Sequence, residues 1–162
     1  VAATNEPEKL PRPLISRFAI REWLESYSED ELAEIVARTA RREGRRFEDE
    51  GARVVARASR GTAREAVLLA TRVIRAVDGA LPGGLDKANA FAALHLLGLD
   101  ERGLDAGDLK LLETLKKSRK PLGLATLAAK TGIGAATILE RHEPFLLRLG
   151  LVEVTPFGRR AC

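Results

Sequence analysis

Cysteine, histidine and long apolar runs are scarce in this sequence, and each scarcity excludes a class of protein. The single cysteine is Cys162 and the two histidines are His95 and His142. Neither a disulfide framework nor a metal site built on Cys and His is therefore expected. No apolar run approaches the roughly 20 residues needed to span a bilayer, and no signal-peptide pattern opens the chain. We expect a cytoplasmic protein without a bound metal.

Aromatic residues are also scarce, at 4% of 162 residues, whereas Ala, Leu and Arg dominate the composition. This composition favours helices over sheets. The net charge of +4 is unevenly distributed. Residues 1–102 hold 17 basic and 17 acidic side chains, whereas residues 103–162 hold 10 and 6. A basic excess confined to the last third is a weak indication of nucleic-acid binding.

Four short amphipathic helices are predicted between residues 26 and 98. Ser28 precedes the first of them and Glu31 follows three residues later, which is the spacing of a capping box. Thr62 and Asp86 stand at the predicted N-caps of the third and fourth helices. Glycine-bearing turns join these helices, and we expect them to form one small bundle over residues 26–98.

The pattern changes beyond a polar, glycine-containing segment at residues 99–104, which we interpret as a hinge. Helical patterns follow in "AGDLKLLETLKKS", "GLATLAAKTG" and "AATILERHEPFLLRLG", and then two extended pieces flank the turn Pro156-Phe157-Gly158. Three helices followed by a hairpin is the order of a winged helix. We expect a mainly α chain with a short β-wing, in which residues 105–162 form a winged-helix DNA-binding domain.

No complete active site can be assembled from these residues. "AAKTG" pairs Lys130 with a threonine but lacks the glycines of a phosphate-binding loop. His95 lies in an apolar stretch, which is typical of a hydrogen-bonded structural histidine. His142 lies between Arg141 and Glu143, and we expect it on a solvated helix face.

The basic residues of the last domain have two interpretations, a solvated face or a set of phosphate contacts. The winged-helix order favours phosphate contacts, because such domains bind the backbone of duplex DNA. The side chains predicted to bind DNA are Lys130, Arg148, Arg159 and Arg160.

Three segments of the chain together resemble the RuvB family of AAA+ ATPases, the bacterial motors of Holliday-junction branch migration. These segments are "AATNEPEKLPRPLISRF", "RGTAREA" and "RLGLVEVTPFGRRA". The resemblance covers essentially the whole chain. It implies that residues 1–25 are the tail of an AAA+ core, that residues 26–98 are its helical lid, and that the winged helix behind the lid binds DNA.

The resemblance also implies roles for particular residues and ATP or ADP with Mg in the parent motor. Arg17 matches the arginine finger, which reaches into the nucleotide site of a neighbouring subunit. Asn5, or Thr4 beside it, matches sensor 1. Tyr27 matches a position that contacts the nucleotide from the lid hinge, and Arg64 matches sensor 2. A cation in the first turn of a helix is disfavoured by the helix dipole unless an anion lies in front of it.

The sequence departs from the RuvB pattern in several places. "VTPFGR" at positions 154–159 stands where the family usually has "RTPRGR", so Arg159 is the arginine that is kept. A basic residue usual near the start of the recognition helix is replaced within "GIGAATIL". In the sensor-2 helix, "EAVLLATR" stands where the family usually has a run of Arg and Asn. These departures predict DNA contacts that differ from those of RuvB.

The chain contains no Walker A or Walker B motif, and we do not expect it to hydrolyse or tightly bind ATP alone. It starts at Val1 without a methionine, so we expect a fragment: the C-terminal half of a hexameric, RuvB-like DNA motor. Its expected partner is duplex or junction DNA, and a RuvA-like protein is a further candidate partner. A non-catalytic lid and winged-helix module that binds DNA or acts as an adaptor is the alternative. A third interpretation is an AAA+ regulator whose winged helix binds protein.

Overall fold

The computed structural model describes residues 2–4 and 9–162, and within them the chain is mainly helical with a two-stranded sheet. Helix α1 is short, Arg12–Ile15, and Pro13 lies in its first turn. Residues 18–28 then run to the lid without regular structure. They expose the large apolar side chains of Ile20, Trp23 and Leu24.

Four helices form the first compact unit, and the predicted caps begin three of them. Ser28 and Glu31 form the predicted capping box, with the Ser28 amide donating to Glu31 Oε2 at 2.8 Å. The Thr62 hydroxyl accepts the amide of Glu65 at 3.2 Å, and the Asp86 carboxylate accepts an amide at 2.8 Å. The four helices are α2 (Glu29–Arg42), α3 (Asp49–Ala58), α4 (Ala63–Ala80) and α5 (Lys87–Leu96).

The core of this unit lies between the four helices. Val36, Val55, Val73 and Leu94 are fully buried there, one from each helix. The apolar residues recur at helical spacing, so each helix buries one stripe and leaves a charged face in solvent. Fully burying such a side chain contributes about 1.5–3 kcal/mol, and packing of these stripes therefore stabilises helices that would be marginal alone.

The second unit begins with α6 (Ala106–Lys117) and α7 (Leu124–Thr131), and α7 ends at Gly132 with φ of 69°. A continuous helix follows, here called the recognition helix, residues 135–148. It consists of α8 (Ala135–Thr137), a π-helical turn (Ile138–His142) and α9 (Glu143–Arg148). Pro144 accounts for the wide turn, because proline has no N–H and crowds the carbonyl of the preceding turn.

The hairpin that follows is the predicted wing. Strands β1 (Val152–Thr155) and β2 (Gly158–Ala161) pair antiparallel, with Thr155 opposite Gly158 at the tip. Leu122 adds an antiparallel bridge to Arg159, with both amide–carbonyl distances at 2.8 Å. A Cβ at Gly158 would overlap the Leu122 carbonyl, and its φ is 129°, so only glycine suits this crossing. The mainly α fold with a β-wing is confirmed.

The connection between the two units, residues 99–104, is packed rather than extended. The Asp100 carboxylate accepts the amides of Arg102 at 2.9 Å and Leu104 at 2.8 Å, and Leu104 is fully buried in the second core. Gly103 lies directly against the backbone of Ala58 at the end of α3. The two units are therefore in contact at this connection. None of the helices in the described part is long and apolar enough to cross a membrane.

Candidate nucleotide-facing and nucleic-acid-binding surfaces

Arg64 lies in the first turn of α4, where the helix start is open to solvent. Thr62 caps this helix and Arg64 itself is exposed. The free amides of the first turn and the positive end of the helix dipole both favour an anion here. A guanidinium adds bidentate donors for phosphate oxygens. The arrangement can therefore bind a phosphate group that approaches along the helix axis.

The other residues predicted to face a nucleotide lie in the segment ahead of the lid. Arg17 follows α1 in a turn and its side chain is exposed. Tyr27 immediately precedes the N-cap of α2 and is half exposed. Thr4 is exposed, and Asn5 lies outside the described residues. Among the described residues, no hydrogen bond or ion pair joins Arg17, Tyr27 and Arg64 to one another.

The four cations predicted to bind DNA differ in how much of each side chain is available. Lys130 is exposed in the last turn of α7, and Arg160 is exposed beside Glu153, with which it pairs across the hairpin. Both side chains can reach a phosphate from solvent. Lys116, Arg119, Lys120 and Arg160 also line a shallow cavity of about 290 Å³ at the end of α6.

Arg159 and Arg148 instead donate to partners of their own chain, although Arg148 is exposed and Arg159 is not. Arg159 donates Nε to Glu143 Oε2 at 2.6 Å, and both side chains are more than four-fifths buried. This hydrogen bond raises the pKa of the Arg159 guanidinium above its ordinary value. Arg148 donates Nη1 to the carbonyl of Arg60 at 2.6 Å, and burial lowers the pKa of Arg148. The Arg159 guanidinium is therefore not free to contact a DNA phosphate in this arrangement, whereas Arg148 is exposed and commits one N–H to the Arg60 carbonyl.

A charged cluster that the sequence did not indicate joins the two units, and we call it the junction cluster: Arg60, Asp105, Asp108, Arg141 and His142. Asp105 and Asp108 form a capping box at the start of α6. Arg60 Nη2 lies 2.5 Å from Asp108 Oδ2 and 3.1 Å from Asp105 Oδ2. Arg141 Nη2 lies 2.9 Å from Asp105 Oδ2.

The pKa of Asp105 shows which influence dominates in the junction cluster. Burial alone raises this pKa, but hydrogen bonds from the Asp108 amide and Arg141, with the charges of Arg60 and His142, outweigh burial. The net pKa of Asp105 lies below its ordinary value. Asp105 is therefore a carboxylate at neutral pH, with cations on two sides.

Both histidine predictions were wrong, in opposite directions. His142 is buried, with Nδ1 at 2.7 Å from Asp108 Oδ1, whereas His95 is exposed. His142 follows Ile138 by four residues and precedes Phe145 by three, so it lies on the apolar stripe of the recognition helix. That spacing was the signal for its burial. The charged neighbours Arg141 and Glu143 suggested a solvated face, but adjacent helical residues face different directions and do not report on His142.

Asp105, Asp108 and His142 also have the ligand types of a metal site, with their ligand atoms within 4.8 Å of one another. The guanidinium groups of Arg60 and Arg141 already neutralise these carboxylates. A cation placed among them would meet two fixed positive charges at short range. The junction cluster is thus built as an ion-pair network.

A helical lid with an open, arginine-bearing helix start, followed directly by a winged helix, is the arrangement of AAA+ motors that act on DNA. Family models agree with it: the RuvB AAA lid domain matches residues 27–100 and the RuvB C-terminal winged helix domain matches residues 101–162. The chain belongs to the RuvB family, and it corresponds to the C-terminal part of that family's members.

Individual relatives give the same result. The chain is 40% identical to the Holliday junction branch migration complex subunit RuvB of Limosilactobacillus reuteri, over 98% of this chain and 48% of that protein. It is 39% identical to the same subunit of Staphylococcus saprophyticus, over 99% of this chain and 49% of the relative. It therefore spans about half the length of the curated relatives it matches.

A solved structure matches the fold as well as the sequence. The Thermotoga maritima RuvB Holliday junction branch migration motor superposes with a TM-score of 0.83 at 36% identity. The superposition covers 94% of this chain and 52% of that one. The RuvB resemblance inferred from the motifs is confirmed.

Proposed function

We propose that this chain is the C-terminal half of a RuvB-like AAA+ motor that couples ATP hydrolysis in a hexameric ring to movement of duplex DNA at Holliday junctions, in recombination and repair. One observation carries the proposal: an exposed Arg64 stands at the capped start of α4, in a RuvB lid that leads directly into a RuvB winged helix. The relatives named as branch-migration subunits support the same activity.

We assign the parts of the proposed motor to consecutive segments of the chain. Residues 1–25 are the tail of the AAA+ core, residues 26–98 the lid, residues 99–104 the connection, and residues 105–162 the DNA-binding domain. The ring works in the cytoplasm with duplex or junction DNA, and a RuvA-like protein is its proposed partner.

At the start of α4, the described residues fit the phosphates of ATP. Arg64 and the open start of α4 offer the donors and positive potential that a phosphate needs, and the exposed Tyr27 contacts the nucleotide from the lid hinge. ATP with Mg supplies the phosphoryl group to be cleaved. Arg17 neutralises charge on that group in the neighbouring subunit, and Asn5 or Thr4 orients the attacking water.

Two of the four proposed DNA-binding cations act directly and two act through the fold. Lys130 and Arg160 contact phosphates, since both are exposed. Arg159 and Arg148 contribute by holding the wing and the lid against the recognition helix, through Glu143 and the Arg60 carbonyl.

The test is Arg17→Ala in the full-length protein. ATP turnover should fall by about 10³-fold or more, because a missing arginine finger leaves the transition-state charge unneutralised. Rings mixed with a variant that keeps Arg17 but cannot bind ATP should recover activity, since the finger acts between subunits. Arg12→Ala, at the start of the short helix α1 that precedes Arg17, is the matched control. Native turnover by Arg17→Ala would refute the motor assignment.

The second candidate is a non-catalytic DNA-binding or adaptor module that keeps the lid and winged helix. Its supporting observation is the wing, where Phe157 is 83% exposed at the tip and Arg159 is paired internally. The gene upstream of Val1 separates the two: a phosphate-binding loop on a predicted strand supports the motor. Duplex binding that weakens steeply with salt would exclude an adaptor that binds only protein.

A further inference from the structure

Arg60 lies four residues before Arg64, in the turn between α3 and α4, with a backbone conformation unusual for its residue type. Its φ is 53°, the left-handed region that non-glycine residues rarely adopt. Such strain persists where the surrounding structure over-determines it. The contacts of the side chain show what holds it there.

The Arg60 side chain crosses from the lid into the winged helix and is only 14% exposed. Its guanidinium bonds to Asp105 and Asp108 at the start of α6. It also donates Nη1 to the carbonyl of Arg141 at 3.2 Å, and its central carbon lies 4.5 Å from the centre of the Phe145 ring. Arg60 therefore contacts both α6 and the recognition helix.

The winged helix in turn contacts the backbone of the same turn. Arg148 of the recognition helix donates to the Arg60 carbonyl, and a Cβ on Gly61 would overlap its guanidinium. The winged helix thus bonds to this turn at two places, the side chain of Arg60 and the backbone carbonyl of Arg60. This double attachment fixes both the position and the direction of the turn.

The carboxylate that Arg60 neutralises has no access to water. Asp108 is fully buried, and its second oxygen bonds to His142 of the recognition helix. If Arg60 moved away, the junction cluster would lose one of the cations that offset a desolvated charge. Separation of the turn between α3 and α4 from the winged helix is therefore unfavourable.

The same turn is rigidly connected to the start of α4. Ser59 donates Oγ to the Ala56 carbonyl at 2.6 Å, and the amide of Thr62 donates to the Ser59 carbonyl at 3.4 Å. Thr62 is the cap of α4, whose first turn bears Arg64. A displacement of the α4 start therefore carries Arg60 with it.

We propose that Arg60 is a positioning residue that couples phosphate binding at Arg64 to the orientation of the recognition helix. The lid and the winged helix move as one body because Arg60 joins the capped start of α4 to the junction cluster. The coupling rests on the proposed function of Arg64, whereas the rigid attachment of the two units does not.

The attachment is tested on this chain alone, with spin labels on the exposed Cys162 and on a cysteine introduced at the exposed Arg75 of α4. The native distance distribution should be single and narrow. Arg60→Gly, which permits the positive φ and removes the side chain, should broaden it. Arg53→Ala removes an exposed ion pair within the lid and should leave the distribution unchanged. An unbroadened Arg60→Gly distribution would overturn the proposal.

A second variant addresses the possibility that Arg60→Gly fails to fold. Asp105→Asn keeps a good N-cap for α6 and nearly the same volume, but removes one carboxylate that Arg60 and Arg141 share. It should broaden the distribution as well, with native helix content by circular dichroism. A narrow distribution in a folded Asp105→Asn chain would contradict the attachment.

The coupling is tested in the full-length protein by the number of base pairs migrated per ATP. Arg60→Gly should retain ATP turnover without DNA, yet migrate at least about fivefold fewer base pairs per ATP, the lower end of typical coupling between sites. Arg60→Lys should recover part of this ratio, and Arg53→Ala should match native. Broadened distances with an unchanged ratio would overturn the coupling. Absence of ATP turnover in native protein would instead refute the motor.

Discussion

Arg60 and Arg64 stand on the two sides of the Thr62 cap, and the protein treats them in opposite ways. Arg64 is exposed in front of a helix start, whereas Arg60 is nearly buried among two carboxylates, a carbonyl and an aromatic ring. One guanidinium is available to a ligand and the other is committed to the fold. The comparison shows that an exposed arginine and a nearly buried one can stand four residues apart, because their side chains leave the same turn in different directions.

The largest expected effect is on the free energy of unfolding when the nearly buried Arg60 is replaced. Arg60→Ala should lower the free energy of unfolding of the winged-helix unit by about 3 kcal/mol, because it leaves the buried Asp108 with less positive charge. Urea unfolding of this chain measures the change. Arg75→Ala, on the exposed face of α4, is the control. A loss no larger than the control's would show that the junction cluster stabilises little.

Replacement of the exposed Arg64 should instead affect ATP turnover and not stability. Arg64→Ala should leave the free energy of unfolding unchanged, since its side chain makes no ion pair among the described residues. In the full-length protein it should lower ATP turnover by about 100-fold, as expected for a lost donor to a transferring phosphate. Unfolding and turnover are measured on the same preparations. A stability loss with normal turnover would reverse the assignment of the two arginines.

A smaller difference isolates the backbone of Arg60 from its side chain. Arg60→Gly should be less destabilising than Arg60→Ala by about 1 kcal/mol, because glycine adopts a φ of 53° without the penalty that alanine retains. Comparison of the two unfolding curves measures it. Equal losses would mean that the turn relaxes to a negative φ once the guanidinium is gone.

The smallest expected effect is confined to acid. The folded pKa of Asp105 lies below its ordinary value of about 3.9, so its contribution is present above that pH and is lost as pH falls through the folded pKa. The stability difference between native chain and Asp105→Asn should therefore shrink below about pH 4. Arg60, Arg141, His142 and Asp108 face this carboxylate. A difference that grows in acid would mean that Asp105 is protonated in the folded state.

Much of the fold was predictable because its signals are local. Ser28, Thr62 and Asp86 cap the helices that they were expected to cap, since a side-chain oxygen three residues ahead of a free amide suffices. The Pro156-Phe157-Gly158 turn gave the wing for the same reason. The capping box of Asp105 and Asp108 carries an equally local signal and was missed.

The candidate site was predictable only in part. Arg64 stood out because a cation in a first helical turn conflicts with the helix dipole. Arg17, Tyr27 and Asn5 rested on the family resemblance, and their roles stay predictions. Arg159 gave no sign that Glu143, sixteen residues earlier, would take its guanidinium. The structure alone reveals that pairing, since it forms across the recognition helix and the wing.

The sequence by itself determined the elements of this protein: helix starts, the glycine that ends α7, the hairpin and the family they belong to. These follow from hydrogen bonds and periodicities that span a few residues. Only the tertiary structure decided which charged side chains pair with one another and which stay exposed. Arg60 reaches Asp105 and Asp108 from 45 and 48 residues away. Such pairs depend on which surfaces exclude water together, and no local pattern records that. The arginines of "RGTAR" are alike in sequence and are made different by what lies in front of each.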